Sequence, residues 1–193
     1  MDAQKLHISL NQISLITDEA WEEFEQLLEP VSLDRNDHLI RVGERTHFCY
    51  LLTEGVIRVY YSKEGNEYNK TFFVPGMFPT ALTSLLTESP CQLSFQALLP
   101  CQLIKFSYHR FRNLFASHRC LETFLLRVLE GEWVKKEKHD IQMVTNDAIT
   151  NYMIFREAYP GLENKIPQHH IASYLGITPI HLSRIRAQLT KKP

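Results

Sequence analysis

The sequence predicts an α+β fold, a strand-rich N-terminal half followed by a helical C-terminal half. Three observations carry that reading. Four of the seven glycines fall between Gly43 and Gly76, ten to twelve residues apart, with short β-branched and aromatic runs between them. From Cys101 to Tyr159 there is no proline and one glycine, Gly131. The last thirty residues hold five basic and no acidic side chains, although the whole chain carries a net charge of −1.

The first observation places strands at 38–42, 48–53, 56–61 and 68–74, and again at 93–98 and 102–106. Short strands with turn signals at this spacing indicate a sandwich or barrel. Lys63-Glu64-Gly65-Asn66 reads as a hairpin turn. Before the strands, Thr17 or Asp18 opens a helix that buries Trp21, Phe24, Leu27 and Leu28. After them, Ser117 or His118 opens a long helix. Its apolar residues Leu121, Phe124, Leu125, Val128 and Leu129 recur at offsets of three and four, which makes one stripe. A further helix runs from about Asp147 to Tyr159 and stops at Pro160-Gly161. Lys135-Lys136-Glu137-Lys138 reads as a solvated face.

Composition narrows the function. The chain of 193 residues has room for one large domain or two small ones, and 44 % hydrophobic residues are enough for a packed core. The near-zero net charge excludes a uniformly basic coat but not a local basic patch. The longest unbroken apolar run, Phe48 to Leu52, is far below the roughly 20 residues of a membrane span. No apolar stretch follows a basic start at the N-terminus, so no signal peptide is expected and the chain is placed in the cytoplasm. Cys49, Cys91, Cys101 and Cys120 are dispersed, which excludes zinc-ribbon and thioredoxin-type spacing and makes them free core thiols. No H-E-x-x-H, G-x-S-x-G or P-loop motif is present, so the chain is not expected to be an enzyme and no metal site is expected.

The C-terminal stretch from Pro167 to Thr190 is the most informative. Gln168–Leu175 reads as a short helix with Ile171 and Leu175 on one face and small Ala172 at a crossing point. Gly176 ends it. Thr178 is an N-cap type and Pro179 takes the first helical position. The second helix buries Leu182, Ile185 and Leu189. At about 100° per residue, the opposite side carries Ile180, Ser183, Arg184 and Ala187, flanked by His181, Gln188 and Arg186. A helix-turn-helix sets the N-terminal part of such a second helix in the DNA major groove. Arg184 suits guanine or phosphate, Ser183 either, and Ile180 a thymine methyl. With Gln168, His169, Thr178 and Lys191, these residues form the expected DNA-binding set. The alternative is a helical hairpin whose cationic face is only solvated.

At these residues the sequence closely resembles the helix-turn-helix of the Crp/Fnr family of transcription regulators. Upstream, Gly43 and Tyr50-Leu51-Leu52-x-x-Gly55-x-Ile57-Arg58-Val59 are similar to that family's β-roll pattern. The resemblance covers nearly the whole chain. It implies an N-terminal double-stranded β-helix of the jelly-roll-like, cyclic-nucleotide-binding type. That sensor domain would span 1–116, a dimerisation helix 117–145 and a helix-turn-helix domain 146–193. It implies a homodimer paired through Leu121, Phe124, Leu125, Val128 and Leu129, with double-stranded DNA as partner and RNA polymerase as a further one. The two-fold axis would set two recognition helices about 34 Å apart on a palindromic site.

The sequence departs from the family pattern in two places. Nucleotide-binding members carry a Glu for the ribose and an Arg for the cyclic phosphate. The corresponding stretch here, 75–98, places Thr80 near the Glu and Cys91-Gln92 at the Arg-Ser pair. With neither carboxylate nor cation, a buried phosphate would lack compensation, which argues against cyclic AMP. Gly76, Phe78, Thr80, Thr83, Ser84, Cys91 and Gln92 then line either a pocket for an unidentified effector or a filled core. No cofactor is expected, since no cysteine precedes Cys49 to hold an iron–sulfur cluster and no haem ligand set is visible. The second departure is that only Leu189 to Pro193 follow the recognition helix, too few for the family's two-stranded wing. The competing expectation is an effector-binding or protein-interaction module whose helix-turn-helix no longer binds DNA.

Overall fold

A computed structural model describes residues 3–190. Two helices lead the chain, α1 (Ala3–Asn11) and α2 (Asp18–Glu25). Five strands follow, β1 (Glu29–Leu33), β2 (His38–Ile40), β3 (Phe48–Glu54), β4 (Ile57–Lys63) and β5 (Asn66–Phe73). Helix α3 (Leu82–Thr87) separates them from β6 (Ser94–Ala97) and β7 (Cys101–Ser107). The rest is helical: α4 (Tyr108–Asn113), α5 (Arg119–Thr145), α6 (Ala148–Ala158), α7 (Gln168–Tyr174) and α8 (Pro179–Thr190).

The strands form two antiparallel sheets, β1-β7-β3 and β2-β6-β4-β5. Alternation along each strand decides what each sheet face meets. From β3, Tyr50 and Leu52 point between the sheets, where they pack with Ile57, Val59, Phe95 and Leu103. Their neighbours Cys49 and Leu51 point the other way, onto α1, α2, α4 and α5. Both faces of β3 are therefore covered, and the strand reads as a continuous apolar run. The outer face of the second sheet is covered as well. Val56, Phe72 and Leu98 join the core of the last three helices, with Tyr152, Phe155, Ile171, Leu182 and Ile185.

Gly55, between β3 and β4, is required by geometry. Its φ is +93°, and a Cβ there would lie 2.4 Å from the Pro100 carbonyl oxygen. No other residue fits without moving the backbone.

The expected strands and long helices are present, with ends shifted by a few residues. Thr17 caps α2 by accepting from Ala20 N–H, and Asp147 caps α6 by accepting from Thr150 N–H. Four elements escaped the sequence reading: α1, β1, α3 and α4. Strand β1 is mostly exposed and contains Pro30. It lies at a sheet edge, where a proline's missing N–H is tolerated. Among its described residues, helix α1 buries only Leu6 and Leu10.

The long helix corrects the proposed pairing stripe. Leu121 is 0 % and Phe124 2 % exposed within the single chain, both packed on the core under α1, α2 and α4, with Leu125 and Val128 leaning on the same cluster. Leu121 and Phe124 are therefore already covered within the chain, while Leu125, Val128 and Leu129 are half-buried. The stripe was correctly read as apolar, but its neighbour is the chain's own first sheet and helices.

Candidate nucleic-acid interface

Helices α7 and α8 are joined by a turn that the local sequence dictates. Gly176 adopts φ +67°, and Ile177 N–H reaches back to the Ala172 carbonyl at 3.0 Å. This closes the last turn of α7 in a Schellman-type stop. Thr178 Oγ1 then accepts from His181 N–H at 3.2 Å, capping α8, and Pro179 is the first helical residue. Leu182 and Ile185 are buried, which pins α8 against α6 and α7.

The opposite side of α8 points outward. Ile180 is 67 % exposed, and His181, Ser183, Arg184, Ala187 and Gln188 are exposed with it. Among the described residues, the Arg184 side chain makes no ion pair or hydrogen bond. Arg186 is half-buried at the edge, and His169 and Thr178 are exposed beside the turn. One expected contact is turned inward. Gln168 Nε2 donates to the Glu163 carbonyl at 2.7 Å, and its Oε1 is enclosed without a partner. Lys191 lies outside the described residues.

The neighbouring His170 is buried. Its pKa is pushed down to about 3, first by burial, then by the Arg58 guanidinium and by His169. The ring is neutral at physiological pH, so Nδ1 is free to accept from Arg58 Nη1 at 3.2 Å. Arg58 itself is 4 % exposed. Glu67 accepts from its Nη1 at 2.5 Å, Gln96 accepts from Nε and Nη2 at 2.8 and 2.6 Å, and the guanidinium stacks 3.9 Å from the Tyr60 ring centre. Sequence reasoning gave Arg58 no role beyond a strand pattern. The available signal was an Arg between Ile57 and Val59, where a buried strand should be apolar on both sides.

The expected effector residues do not converge. Thr80 Oγ1 accepts from Tyr50 N–H at 3.1 Å, Ser84 donates to the Ser89 carbonyl at 2.6 Å, and Cys91 donates to the Leu93 carbonyl at 3.2 Å. Phe78 packs edge-on against Phe124, while Gly76, Thr83 and Gln92 are exposed. Cys91 belongs to the apolar core between the sheets. None of the seven carries a charge, and the polar groups of Thr80, Ser84 and Cys91 are spent internally. They do not fit a cyclic nucleotide, whose ribose and phosphate need partners of opposite polarity and charge. The cysteines are all free, and burial pushes the Cys49 thiol up to about 12, which makes it inert. Among the described residues, no group of three or more His, Cys, Asp or Glu could hold a metal ion, and no helix is long and apolar enough to cross a membrane.

The strands thus form a double-sheet roll, followed by a long helix and a terminal helical cluster. Residues 30–118 match the family model of the cyclic nucleotide-binding domain. The fold extends over most of the chain in several solved structures. FixK2 from Bradyrhizobium japonicum is similar at a TM-score of 0.73 and 16 % identity, covering 86 % of this chain and 85 % of its own. A CooA variant from Carboxydothermus hydrogenoformans gives 0.69 and 17 %, covering 92 % and 87 %. The catabolite activator protein of Thermus thermophilus gives 0.57 and 17 %, covering 95 % and 87 %. No curated protein matches by sequence. Residues 30–118 thus resemble a cyclic nucleotide-binding domain, and the chain shares the fold of these solved structures.

Proposed function

We propose that the chain is a Crp/Fnr-type transcription regulator that reads double-stranded DNA as a homodimer in the cytoplasm. Residues 1–116 form the roll, 117–145 the pairing helix and 146–193 the helix-turn-helix. The observation that carries this is the outward side of α8. It presents Arg184, without a partner among the described residues, with Ser183, His181 and Gln188 around small Ala187, and no acid. Side chains of these types hydrogen-bond base edges or phosphates, and a small central residue allows close approach.

Pairing is assigned to a different side of α5 from the one the apolar stripe suggested. Leu126, Trp133 and Val144 are 53 %, 66 % and 85 % exposed. At about 100° per residue they fall within about 20° of one line along the helix. Half-buried Leu129 and exposed Ile141 flank that line. A seam of this kind, on the side away from Phe124, suits a parallel partner helix. No cyclic nucleotide is assigned to the roll.

The test is fluorescence anisotropy on duplex DNA from upstream of the protein's own gene, across a salt series. If about six phosphates are neutralised per dimer, log K falls with log salt at a slope near −5. Arg184→Ala is expected to weaken specific binding about tenfold or more, and Trp133→Glu to give a monomer by sedimentation with lost affinity. Binding that is equal on every duplex and indifferent to Arg184 would sink the reading.

A further inference from the structure

The tip of α8 is short of hydrogen-bond donors. Pro179 has no N–H, His181 N–H is taken by Thr178 Oγ1 at 3.2 Å, and Leu182 N–H by the Thr178 carbonyl at 3.0 Å. Between them Ile180 stands out from the helix, 67 % exposed. It has no place in the core that Leu182 and Ile185 enter and that Ile177 and Leu189 lean on. A tip that met only phosphates would be served by free N–H groups and polar side chains. This one presents a branched hydrocarbon instead.

Ile180 also stands in register with Arg184. At about 100° and about 1.5 Å per residue, the two lie about 40° apart round the helix and about 6 Å apart along it. Bases along a strand are about 3.4 Å apart, so the two side chains reach positions within about two base-pair steps. Arg184 suits the N7 and O6 acceptors of guanine.

The chemistry of Ile180 is narrower. In the major groove, adenine, guanine and cytosine present only hydrogen-bonding groups, and thymine adds a C5-methyl. Covering a polar base edge with Ile180 would strip it of water and return no hydrogen bond. Covering a methyl group removes apolar surface from water on both sides. The β-branched side chain is nearly fixed at χ1 in a helix, so holding it against a methyl costs little entropy. 5-Methylcytosine carries the same methyl on the same ring atom.

We propose that Ile180 is a specificity-determining residue of α8. It selects a C5-methylated pyrimidine, thymine or 5-methylcytosine, within about two base pairs of the guanine that Arg184 reads, and it refuses unmethylated cytosine. The proposal rests on the DNA-binding reading above and adds which base the helix tip selects.

The test uses the full chain. The upstream duplex is footprinted, and each thymine of the protected site is replaced in turn by deoxyuridine, which removes the methyl and keeps the base pairing. Anisotropy then compares wild type, Ile180→Val and Ile180→Ala. Ile180 is exposed and outside the core, so both variants keep the fold. One buried methyl is equivalent to about a fourfold change in affinity. One thymine per half-site is therefore expected at which deoxyuridine weakens wild type about fourfold, and about fifteenfold when both half-sites are changed. Ile180→Val keeps that sensitivity. Ile180→Ala binds the thymine duplex about as weakly as wild type binds the deoxyuridine one, and it no longer distinguishes them. At the same position, a 5-methylcytosine pair is expected to bind wild type about fourfold better than a cytosine pair. Deoxyuridine that is tolerated everywhere, or that weakens Ile180→Ala as much as wild type, overturns the proposal and leaves the DNA-binding reading intact. So does 5-methylcytosine that binds no better than cytosine. Absence of a footprint by every form, at low salt, overturns both.

Discussion

The two faces of strand β4 are built on opposite principles. Inward, Ile57 and Val59 meet Leu52, Phe95 and Leu103 in a core without charge. Outward, Arg58 and Tyr60 meet Gln96, Glu67 and His170 of α7. Burial is nearly equal on the two faces; the kind of free energy is not. Apolar burial contributes about 25 cal/mol per Å² and has no alternative partner in water. A hydrogen-bonded seam contributes about 1 kcal/mol net per bond, because water competes for every one of them. The inner face makes the roll a permanent body. The outer face of β4 is a polar network, set beside the apolar contacts that Phe72 and Leu98 make with the last helices.

The largest expected effect sharpens that contrast. Leu52 is fully buried between the sheets. Leu52→Ala should cost about 3 kcal/mol and lower the melting temperature of the whole chain in a single transition, read by calorimetry or denaturant titration. A variant that left the melting temperature of the roll unchanged would mean that the inner core is not the permanent part.

Acid should act on the outer face. His170 is held neutral in the fold, its pKa pushed down to about 3, whereas the unfolded chain protonates near the ordinary histidine value of 6.5. Between those values the unfolded state binds the extra proton. Stability is therefore full above about pH 6.5 and falls as pH drops towards 3, by up to about 1.4 kcal/mol per pH unit. Denaturation between pH 7 and 4.5 should show this slope, and His170→Gln should flatten it.

Smaller still is Ser173→Ala, which removes two hydrogen bonds at a half-buried site. A loss of about 1 kcal/mol is expected in denaturant titrations, well below Leu52→Ala. A loss as large as that of Leu52→Ala would erase the distinction between the two faces. The smallest effect belongs to Arg184→Ala. Arg184 is exposed and has no partner among the described residues, so stability should stay within about 0.5 kcal/mol while DNA affinity falls. That dissociation of binding from stability separates an interface residue from a packing one.

Much of the fold was legible because its signals are local. Glycine spacing and β-branched runs marked β3 to β7, and Thr17, Asp147, Gly176, Thr178 and Pro179 stop or start helices through their own backbone preferences. The exposed side of α8 followed from helical periodicity once Leu182 and Ile185 were taken as buried. These features depend on residues within a few positions of each other, so the chain specifies them before it folds.

What a face packs against is not local. Periodicity showed that Leu121 and Phe124 share an apolar side, but a helix stripe is equally complementary to a partner chain and to its own protein's core. The placement of α1, α2 and α4 over that side decided it. Arg58 is the same kind of case. Its sequence neighbours say only that it sits in a strand. Its burial became affordable through Glu67 nine residues away, Gln96 thirty-eight away and His170 one hundred and twelve away. Partners that distant meet only when the chain is folded. Sequence alone determined most of the elements, the caps at Thr17, Asp147 and Thr178 and the outward residues of α8; tertiary structure decided which faces were already taken.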